Sequence, residues 1–341
     1  MRGSARLSSF FRKGKADALL LASGESPNPN FLYFSGMQLD NSVFIAGRNG
    51  ERTLLVNEIN ETEAKNVKES DVVVFKDRRD FWKKATDALL GCRLISLDMN
   101  EMNARAFSEI QKRIMTKKFV DGSKTMLELR AVKEESELEL IRKSARIARS
   151  ILSQLHVKVG ITELELAKEL RIKAIENGCA LSFEPIVLAG SNTAMPHGKP
   201  SGKKVSQGEV VLVDFGVKYN SYCSDITRCF FIGKCEEERQ RYAELKSVLE
   251  DLLKGLRVGV LGGKVGAVCN ELMVESGFGK MIHSPGHGIG LDVHENPSLS
   301  KKSRERLANG MAIAIEPAFY GKYGLRYEDD VVVDAGRARI I

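Results

Sequence analysis

The 341-residue chain contains no apolar run approaching the roughly 20 residues that would cross a bilayer. Its six cysteines include no C-x-x-C pair, and its basic residues form no sustained run. These absences argue against a membrane protein, a thiol-based metal site and a nucleic-acid-binding tail. No repeat of about 20–50 residues is visible, which argues against a solenoid.

The overall composition is that of a globular protein, with 43% hydrophobic and 28% charged residues. The net charge of +7 comes from 52 basic residues interleaved with 45 acidic ones, so we expect a mixed solvated surface and no nucleic-acid partner. The first residues, MRGSARLSSFFRKGKADALLLA, have an apolar stretch too short for a signal peptide. They predict an amphipathic helix leading into a strand. Together with cysteines interpreted as reduced, this predicts a cytoplasmic protein.

The length predicts two domains, residues 1–122 and 123–341, with a boundary near Gly122–Thr125. Residues 1–120 alternate short apolar strands with amphipathic helices, a pattern typical of a small α/β domain. The predicted strands are ADALLL, FLYF, SVFIAG, RTLLVN, DVVVF and RLISLD. The predicted helices are NETEAKNVK, RDFWKKATDALL and NEMNARAFSEIQKRIM, the last with Asn100 as its N-cap.

Periodicity in the second part predicts three long helices, KEESELELIRKSARIARSILSQL, TELELAKELRIKAIENG and EEERQRYAELKSVLEDLLKGL. The second of them ends in Asn-Gly, which is a good helix stop signal. Apolar strands that form hairpins lie between and after the helices. The second domain is therefore predicted to be α+β.

The segment VVLVDFGVKYNSYCSDITRCFFIG, residues 210–233, predicts a hairpin with an acid in each strand. A turn at Tyr219-Asn220 would place Asp214 opposite Asp225, with Cβ atoms about 5 Å apart. Like charges facing each other destabilise a sheet, and a buried unpaired carboxylate is costly. Asp214 also interrupts an apolar run, so we expect it to be buried.

The segment MAIAIEPAFYGKYGLRYEDDVVV, residues 311–333, repeats this arrangement. A turn over GKYG places Glu316 opposite Glu328, and each glutamate adjoins an apolar strand. Two acidic pairs in two hairpins require a shared partner. A divalent cation is the natural one, because it converts repelling charges into ligands.

The chain has five histidines, and three of them lie in the fifteen residues HSPGHGIGLDVHENP. Oxygen-rich metal sites often include a nitrogen ligand, and His287 lies between glycines that allow a close backbone approach. His283 and His294 flank it and are candidates for contacting substrate. A structural role is the alternative for any single histidine, but the clustering of three favours function.

These residues lie in motifs that resemble the pita-bread metallopeptidases, specifically the Xaa-Pro dipeptidase (prolidase) and Xaa-Pro aminopeptidase branch. The resemblance covers nearly the whole chain. It implies a creatinase-like N-terminal α/β domain over about 120 residues, followed by a pita-bread catalytic domain. The motifs occur in the family's order: ELRAVKEESELELIRKSA, FEPIVLAG, PHG, DFGVKYNSYCSDITR, HSPGHGIGLDVHE, IEPAFY and RYED.

The resemblance also implies a site with two divalent metal ions per subunit, from among Mn, Co, Zn and Fe, with manganese or cobalt as the leading candidates. The implied ligands are Asp214, Asp225, His287, Glu316 and Glu328, with Asp225 and Glu328 bridging both ions. The implied substrate is a proline-containing peptide, and family members are commonly homodimers.

Further roles follow from the same resemblance. Glu316 would carry the proton during hydrolysis by an activated water, while His197 and His294 would contact the substrate carbonyl and the oxyanion. His283 would line the substrate pocket, and Arg326 would brace the site through the ligand carboxylates.

Two positions depart from the family pattern. Ala318 stands where Gly usually follows Glu-Pro, which is a change of one methyl. Ser298 stands where many prolidases carry an Arg suited to the free carboxylate of a dipeptide, so strict dipeptidase specificity is not predicted. Basic residues that could replace this Arg are Lys301, Lys302, Arg304 and Arg306.

Three alternative functions share the pita-bread fold. A methionine aminopeptidase would share the catalytic fold, but the additional N-terminal domain argues against it. A non-catalytic pita-bread binding protein, or a creatinase-like enzyme that works without metal, would have lost ligand residues, and here every ligand type is present. The sequence leaves open whether dipeptides or the N-termini of longer peptides are cleaved.

Overall fold

The computed structural model describes residues 3–115 and 117–341 of the chain. By contacts between residues it divides into two compact units, Met1–Arg130 and Ala131–Ile341. Within the described ranges, no helix combines the length and the apolar character that crossing a membrane would require.

The first unit is a six-stranded mixed sheet in the order β4-β3-β2-β1-β5-β6. Its strands are β1 (Ala18–Ser23), β2 (Ser42–Gly47), β3 (Arg52–Asn57), β4 (Asp71–Phe75), β5 (Leu94–Leu97) and β6 (Lys118–Asp121). Its helices are α1 (Gly3–Lys13), α2 (Pro29–Ser35), α3 (Glu61–Ala64), α4 (Arg78–Ala88), α5 (Ala104–Arg113) and α6 (Ser123–Ala131). The predicted α/β class and the amphipathic first helix are therefore confirmed.

Three local predictions in this unit are wrong. FLYF forms part of helix α2 rather than a strand, because the Asn28 side chain accepts hydrogen bonds at the helix start and Pro29 suits the first turn. The helix predicted over NETEAKNVK is only the four-residue α3. Asn103, not Asn100, caps helix α5 through a hydrogen bond from the amide of Ala106.

The division after Arg130 lies beyond the predicted boundary at Gly122 because helix α6 is tied to the first unit. The hydroxyl of Tyr33 donates to the carbonyl of Leu129 at 3.3 Å, and the Arg130 guanidinium donates to the side-chain oxygen of Asn30 at 2.9 Å. The boundary at residue 122 stays a prediction.

The second unit contains four α-helices among its described residues: α7 (Glu135–Ser153), α8 (Glu163–Glu176), α9 (Glu236–Gly255) and α10 (Gly262–Glu275). Its first strands are β7 (Ala180–Leu181), β8 (Ile186–Ala189), β9 (Glu209–Phe215), β10 (Val217–Tyr219), β11 (Tyr222–Cys223) and β12 (Ile226–Ile232). Then follow β13 (Gly286–Gly288), β14 (Glu295–Ser298), β15 (Ala312–Ile315), β16 (Ala318–Tyr320), β17 (Gly324–Arg326), β18 (Asp329–Val333) and β19 (Ala338–Ile340).

The three predicted helices of this unit are confirmed as α7, α8 and α9, whereas α10 was not predicted. Its sequence GGKVGAVCNELMVE opens with two glycines, which have a poor helix propensity. Packing overrides that propensity, since Val265, Cys269 and Met273 are all buried on one face.

Strand β9 runs between the two cores of the unit. Val211 and Val213 pack with α7 and α8 in one core. Val210 and Leu212 pack with α9, α10, β15 and β18 in the other. Because strand side chains alternate, Asp214 falls on the same face as Val210 and Leu212. The buried position of this acid therefore follows from the strand that carries it.

The hairpin over residues 210–233 forms, but its register differs from the prediction. Thr227, not Asp225, lies opposite Asp214. The turn is Asn220-Ser221, both with positive φ (45° and 70°), as two-residue hairpins prefer. A shift of two residues keeps each side chain on its predicted face, so Asp225 follows as a diagonal neighbour of Asp214.

The register of the second hairpin is confirmed. Ile315 lies opposite Asp329 in β15 and β18, and Ala318 lies opposite Arg326 in β16 and β17. Glu316 and Glu328 lie between these two paired segments. The pairing register is the same before and after them, as predicted.

Candidate metal centre

The four predicted acids all lie at strand ends of the second unit. Asp214 is the next-to-last residue of β9, Asp225 precedes β12, Glu316 follows β15 and Glu328 precedes β18. Asp214, Asp225 and Glu328 are buried, with 7%, 5% and 2% of their surface exposed, while Glu316 is half-buried. The two hairpins thus bring the acids to one region of the unit.

His287 joins this region from strand β13. Its Nε2 lies 3.6 Å from Oδ2 of Asp225. Potential ligand atoms of Asp225, His287 and Glu328 all lie within 4.8 Å of one another. Gly286, next to His287, lies so close to β15 that a Cβ there would approach the carbonyl oxygen of Ala314 to 2.1 Å. The close approach of the β13 and β15 backbones therefore requires glycine at this position.

Burial and mutual repulsion disfavour negative charge on these acids. Burial, followed by the neighbouring Glu328 and Asp214, raises the pKa of Asp225 well above its usual range. Burial and Glu328 raise the pKa of Glu316. Burial and Asp214 raise the pKa of Glu328 to about 7. The cluster therefore favours either bound protons or a bound cation at neutral pH.

The donor atoms fit a divalent cation. Oδ1 of Asp214 and Oδ1 of Asp225 are buried and have no hydrogen-bond partner among the described residues. Burial and the nearby His294 lower the pKa of His287 to about 4, so its imidazole is neutral and can act as a ligand. Carboxylate oxygens with one imidazole suit Mn, Co, Zn or Fe.

Arg326 lies in the middle of the acids and is buried. Its Nη2 donates to Oδ2 of Asp214 in a short contact, and its Nε donates to Oγ1 of Thr227 at 2.8 Å. Its Nη1 lies 3.9 Å from Oε2 of Glu316, and its Nε lies 3.7 Å from Oε2 of Glu328. The guanidinium thus lies within 4 Å of three of the four acids, and its bracing role stays a prediction.

The other predicted histidines lie around the acids. Nδ1 of His283 is 3.8 Å from Oε2 of Glu316, and the ring of His294 contacts that of His287 with centroids 4.2 Å apart. His197 is exposed but close enough to affect the pKa of both His283 and His294. The structure therefore brings these three histidines to the edge of the acidic cluster.

Several residues at the site were not predicted. Asp330 is fully buried, and one of its oxygens accepts a hydrogen bond from the amide of Asp225 at 3.1 Å. Asp329 accepts both Nη2 hydrogen bonds of Arg228, at 2.8 and 2.9 Å. Tyr320 accepts a hydrogen bond from Arg326 at 3.3 Å. The run Glu-Asp-Asp before three valines was a usable signal, because three consecutive acids at the start of a strand that is buried on both faces need partners.

The metal-free protein is expected to lose stability as the pH rises from 6.5 to 8. The folded pKa values of Asp225, Glu316 and Glu328 are raised, so the folded state holds protons that the unfolded state has released. His283, His287 and His294 have lowered pKa values and act in the opposite direction, mainly near and below their unfolded value of about 6.5. Urea unfolding of EDTA-treated protein should show a fall of about 1 kcal/mol or more over this range.

The control for this experiment is Asp225→Asn, which removes one buried acid and should reduce the pH slope. Protein whose stability is constant or increases from pH 6.5 to 8 would contradict the raised pKa values.

Two family models match the chain. The model described as Metallopeptidase family M24 matches residues 139–335. The model described as Creatinase/Prolidase N-terminal domain matches residues 4–132. The first match contains all of the acids and histidines described above.

Named relatives match over nearly the whole chain. The Xaa-Pro dipeptidase of Pyrococcus horikoshii is 30% identical over 333 residues, covering 95% of this chain and 92% of that protein. The crystal structure of X-Pro aminopeptidase from Thermotoga maritima superposes with a TM-score of 0.90 and 31% identity, covering 97% of this chain and 96% of that one. The Xaa-Pro dipeptidase from Bacillus anthracis gives a TM-score of 0.91 at 26% identity, covering 99% and 96%.

Proposed function

The chain belongs to metallopeptidase family M24 and has its pita-bread catalytic fold behind a creatinase-like N-terminal domain, and from this premise we propose that it hydrolyses Xaa-Pro peptide bonds. The observation that carries the proposal is the cluster of the buried Asp225 and Glu328 with the half-buried His287, which occurs in a chain similar to named Xaa-Pro dipeptidases and an X-Pro aminopeptidase. Neither methionine aminopeptidase activity nor a non-catalytic role is favoured by these relatives.

In this proposal two divalent ions, manganese or cobalt in the first place, bind between the hairpins. Asp214, Asp225, His287, Glu316 and Glu328 would hold the ions, with Asp225 and Glu328 shared between them. The proposal is supported by the unpartnered Oδ1 atoms of Asp214 and Asp225 and by the common ligand cluster. When bound, such ions lower the pKa of a coordinated water and polarise a carbonyl.

Glu316 is proposed to move the proton. Of the four carboxylate side chains it is the most exposed, at 16%, compared with 9% for Asp214 and 2% for Glu328. Its Oε2 can therefore reach substrate and water, take a proton from the attacking water and release it toward the leaving nitrogen. Arg326 and His283, within 4 Å of Oε2, hold the carboxylate in place.

The histidines at the edge of the cluster are proposed to bind the peptide. His197 and His294 donate hydrogen bonds to the substrate carbonyl and to the oxygen on which charge develops. Burial lowers the pKa of His294, so its imidazole is neutral at pH 7 and still carries one N–H donor. His283 lines the pocket beside Tyr320, with ring centroids 5.6 Å apart.

Proline explains the need for a dedicated site. Its amide nitrogen carries no hydrogen, and the bond before it has a substantial cis population. Enzymes that recognise that N–H therefore handle the bond poorly. Here carbonyl-directed donors and a pocket next to aromatic Tyr320 make no demand on the missing hydrogen.

The proposed substrate length rests on Ser298, the residue that follows the segment His294-Glu295-Asn296-Pro297. Ser298 cannot form a bidentate pair with a dipeptide carboxylate, and the basic residues Lys301, Lys302, Arg304 and Arg306 are all exposed. We therefore propose cleavage of dipeptides and of peptide N-termini alike. A cytoplasmic location and a homodimer are further parts of the proposal, carried by the composition and by the family resemblance.

A cleavage panel tests the proposed function. With Mn²⁺ or Co²⁺ added, the protein is expected to cleave Ala-Pro and Ala-Pro-Ala with kcat/KM values within about tenfold of each other, because no fixed cation selects the dipeptide carboxylate. A site with a buried group that pairs with the dipeptide carboxylate would instead discriminate between the two substrates by about 10⁴-fold or more. Ala-Ala-Ala is the matched control and should be a poor substrate.

Turnover of Met-Ala-Ser without turnover of Met-Pro would overturn the proposal in favour of a methionine aminopeptidase. Turnover of Ala-Pro with none of Ala-Pro-Ala would contradict only the substrate length.

A further inference from the structure

A buried ion pair lies next to the proposed site and belongs neither to the proposed metal ligands nor to the proposed substrate contacts. Nζ of Lys133 is 3.2 Å from Oε2 of Glu295, and both side chains are only 1% exposed. The two residues are 162 positions apart in the sequence and both belong to the second unit. The desolvation penalty of burying two charges often exceeds the free energy gained from their attraction. Such a pair is therefore weak evidence for stability, and another role should be sought.

Lys133 is held by its backbone at the start of the unit. Its amide donates to the carbonyl of Gly310 at 3.0 Å, and its neighbour Val132 bridges to Met311 just before strand β15. Strand β15 is the one that leads into Glu316. The ammonium group therefore extends from a backbone position fixed to a strand of the site.

Glu295, the acidic partner in the ion pair, holds a tight loop. Its second oxygen, Oε1, accepts a hydrogen bond from the amide of Asp292 at 3.0 Å. The carboxylate also lies directly over Gly290, where a Cβ would approach Oε2 to 2.7 Å. The amide of Gly290 donates to the carbonyl of Asp292 at 3.0 Å. The loop over residues 290–295 is thus wrapped around this carboxylate.

The same loop carries His294, which directly precedes Glu295. The ring of His294 lies against that of His287 with centroids 4.2 Å apart. The loop is also tied to the segment before Asp225, because the amide of Cys223 donates to the carbonyl of Gly290 at 2.8 Å. A movement of Glu295 would therefore displace a substrate-facing histidine.

We propose that Lys133 and Glu295 form a positioning pair that fixes the 290–295 loop and thereby sets the place of His294 for Xaa-Pro hydrolysis. The role assigned to His294 rests on the proposed function. Neither Lys133 nor Glu295 touches the reacting atoms in this proposal. The attraction between their charges holds the loop in place. In this position His294 lies against His287 and can donate a hydrogen bond to the substrate.

The experiment is a double-mutant cycle between the pair and His294. Glu295→Gln and Lys133→Met are each expected to lower kcat about 10- to 100-fold, the usual cost of removing such a supporting partner. Bound metal should change little, whereas KM should rise, because His294 also contacts the substrate carbonyl. In the His294→Ala background, Glu295→Gln should cause less than about a threefold further loss, because the residue that it positions is gone.

The matched control is Glu250→Gln, which breaks an exposed pair with Lys246 in helix α9 and should leave kcat unchanged. Full additivity of Glu295→Gln and His294→Ala would overturn the proposal, and so would loss of metal in the Glu295→Gln variant. If Glu295→Gln does not fold, Lys133→Met with Glu295→Gln removes both charges together. A folded double variant with wild-type kcat would also overturn the proposal.

A readout without turnover separates this inference from the proposed function. Hydrogen exchange over residues 288–296, including the Asp292 amide bonded to Glu295, should be at least about tenfold faster in Glu295→Gln. Unchanged exchange would overturn the positioning role. A wild-type protein that cleaves no Xaa-Pro peptide would refute the proposed function, whereas faster exchange in the same samples would still support the pair as the anchor of the loop.

Discussion

Exhaustive chelation is expected to lower Xaa-Pro hydrolysis by about a thousandfold or more, since bound cations contribute several kcal/mol of transition-state stabilisation. The physical reason lies in the acids. Asp225, Glu316 and Glu328 have raised pKa values because they are buried together, and only a cation makes their charged forms favourable at neutral pH. The measurement is kcat/KM for Ala-Pro after dialysis against a chelator and again after reloading with one metal at a time.

Reloading should restore activity, and elemental analysis should give about two divalent ions per chain, as the proposed bridging ligands require. Zinc binds such ligands more tightly than manganese or cobalt, so each metal is added to chelated protein separately. Activity that survives complete removal of metal would contradict the proposal. Fewer than one ion per chain at saturating metal would favour a non-catalytic protein.

Asp225→Asn provides the companion variant because it removes charge and keeps shape. It should lose metal and activity while the metal-free protein becomes more stable, because one repelling carboxylate is gone from a fully buried site. Asp251→Asn, at an exposed ion pair with Lys254 in helix α9, is the matched control and should keep both metal and activity.

The site could be predicted from the sequence because its acids violate local rules. A carboxylate inside or next to an apolar strand, as at Asp214 and Glu316, needs a partner wherever the strand is buried. Strand periodicity then fixes the face, and it stayed correct although the register of the first hairpin was two residues off. The error came from the turn. Asn220 alone was taken as left-handed, whereas Ser221 also has positive φ.

Other features depend on contacts across long sequence distances, and no local pattern gives them. Lys133 in the segment KEESE resembles an ordinary solvated lysine, and only the fold brings it to Glu295. FLYF has the composition of a strand, yet the cap at Asn28 and the proline after it make it a helix. Helix α10 has two glycines at its start and is held by the core that it covers.

Glu316→Gln is expected to lower kcat by about 10²- to 10⁴-fold, the range lost when a general acid–base is removed. The amide keeps the size and one oxygen ligand of the glutamate but cannot take up a proton. The fold and most of the bound metal should therefore be retained, and KM should change little, because substrate contacts come from His197 and His294. The measurement is kcat and KM for Ala-Pro together with the metal content of the same sample.

Metal content distinguishes the two roles proposed for Glu316. If the variant loses both metal and turnover, the ligand role alone explains the loss, whereas loss of turnover with metal retained identifies the proton carrier. Glu271→Gln, on the exposed face of helix α10, is the matched control and should behave as wild type. A Glu316→Gln variant with a near-normal rate would transfer the proton role elsewhere. The most exposed remaining acid would be Asp214, whose side chain is 9% exposed but already bonded to Arg326, which makes it a poor substitute.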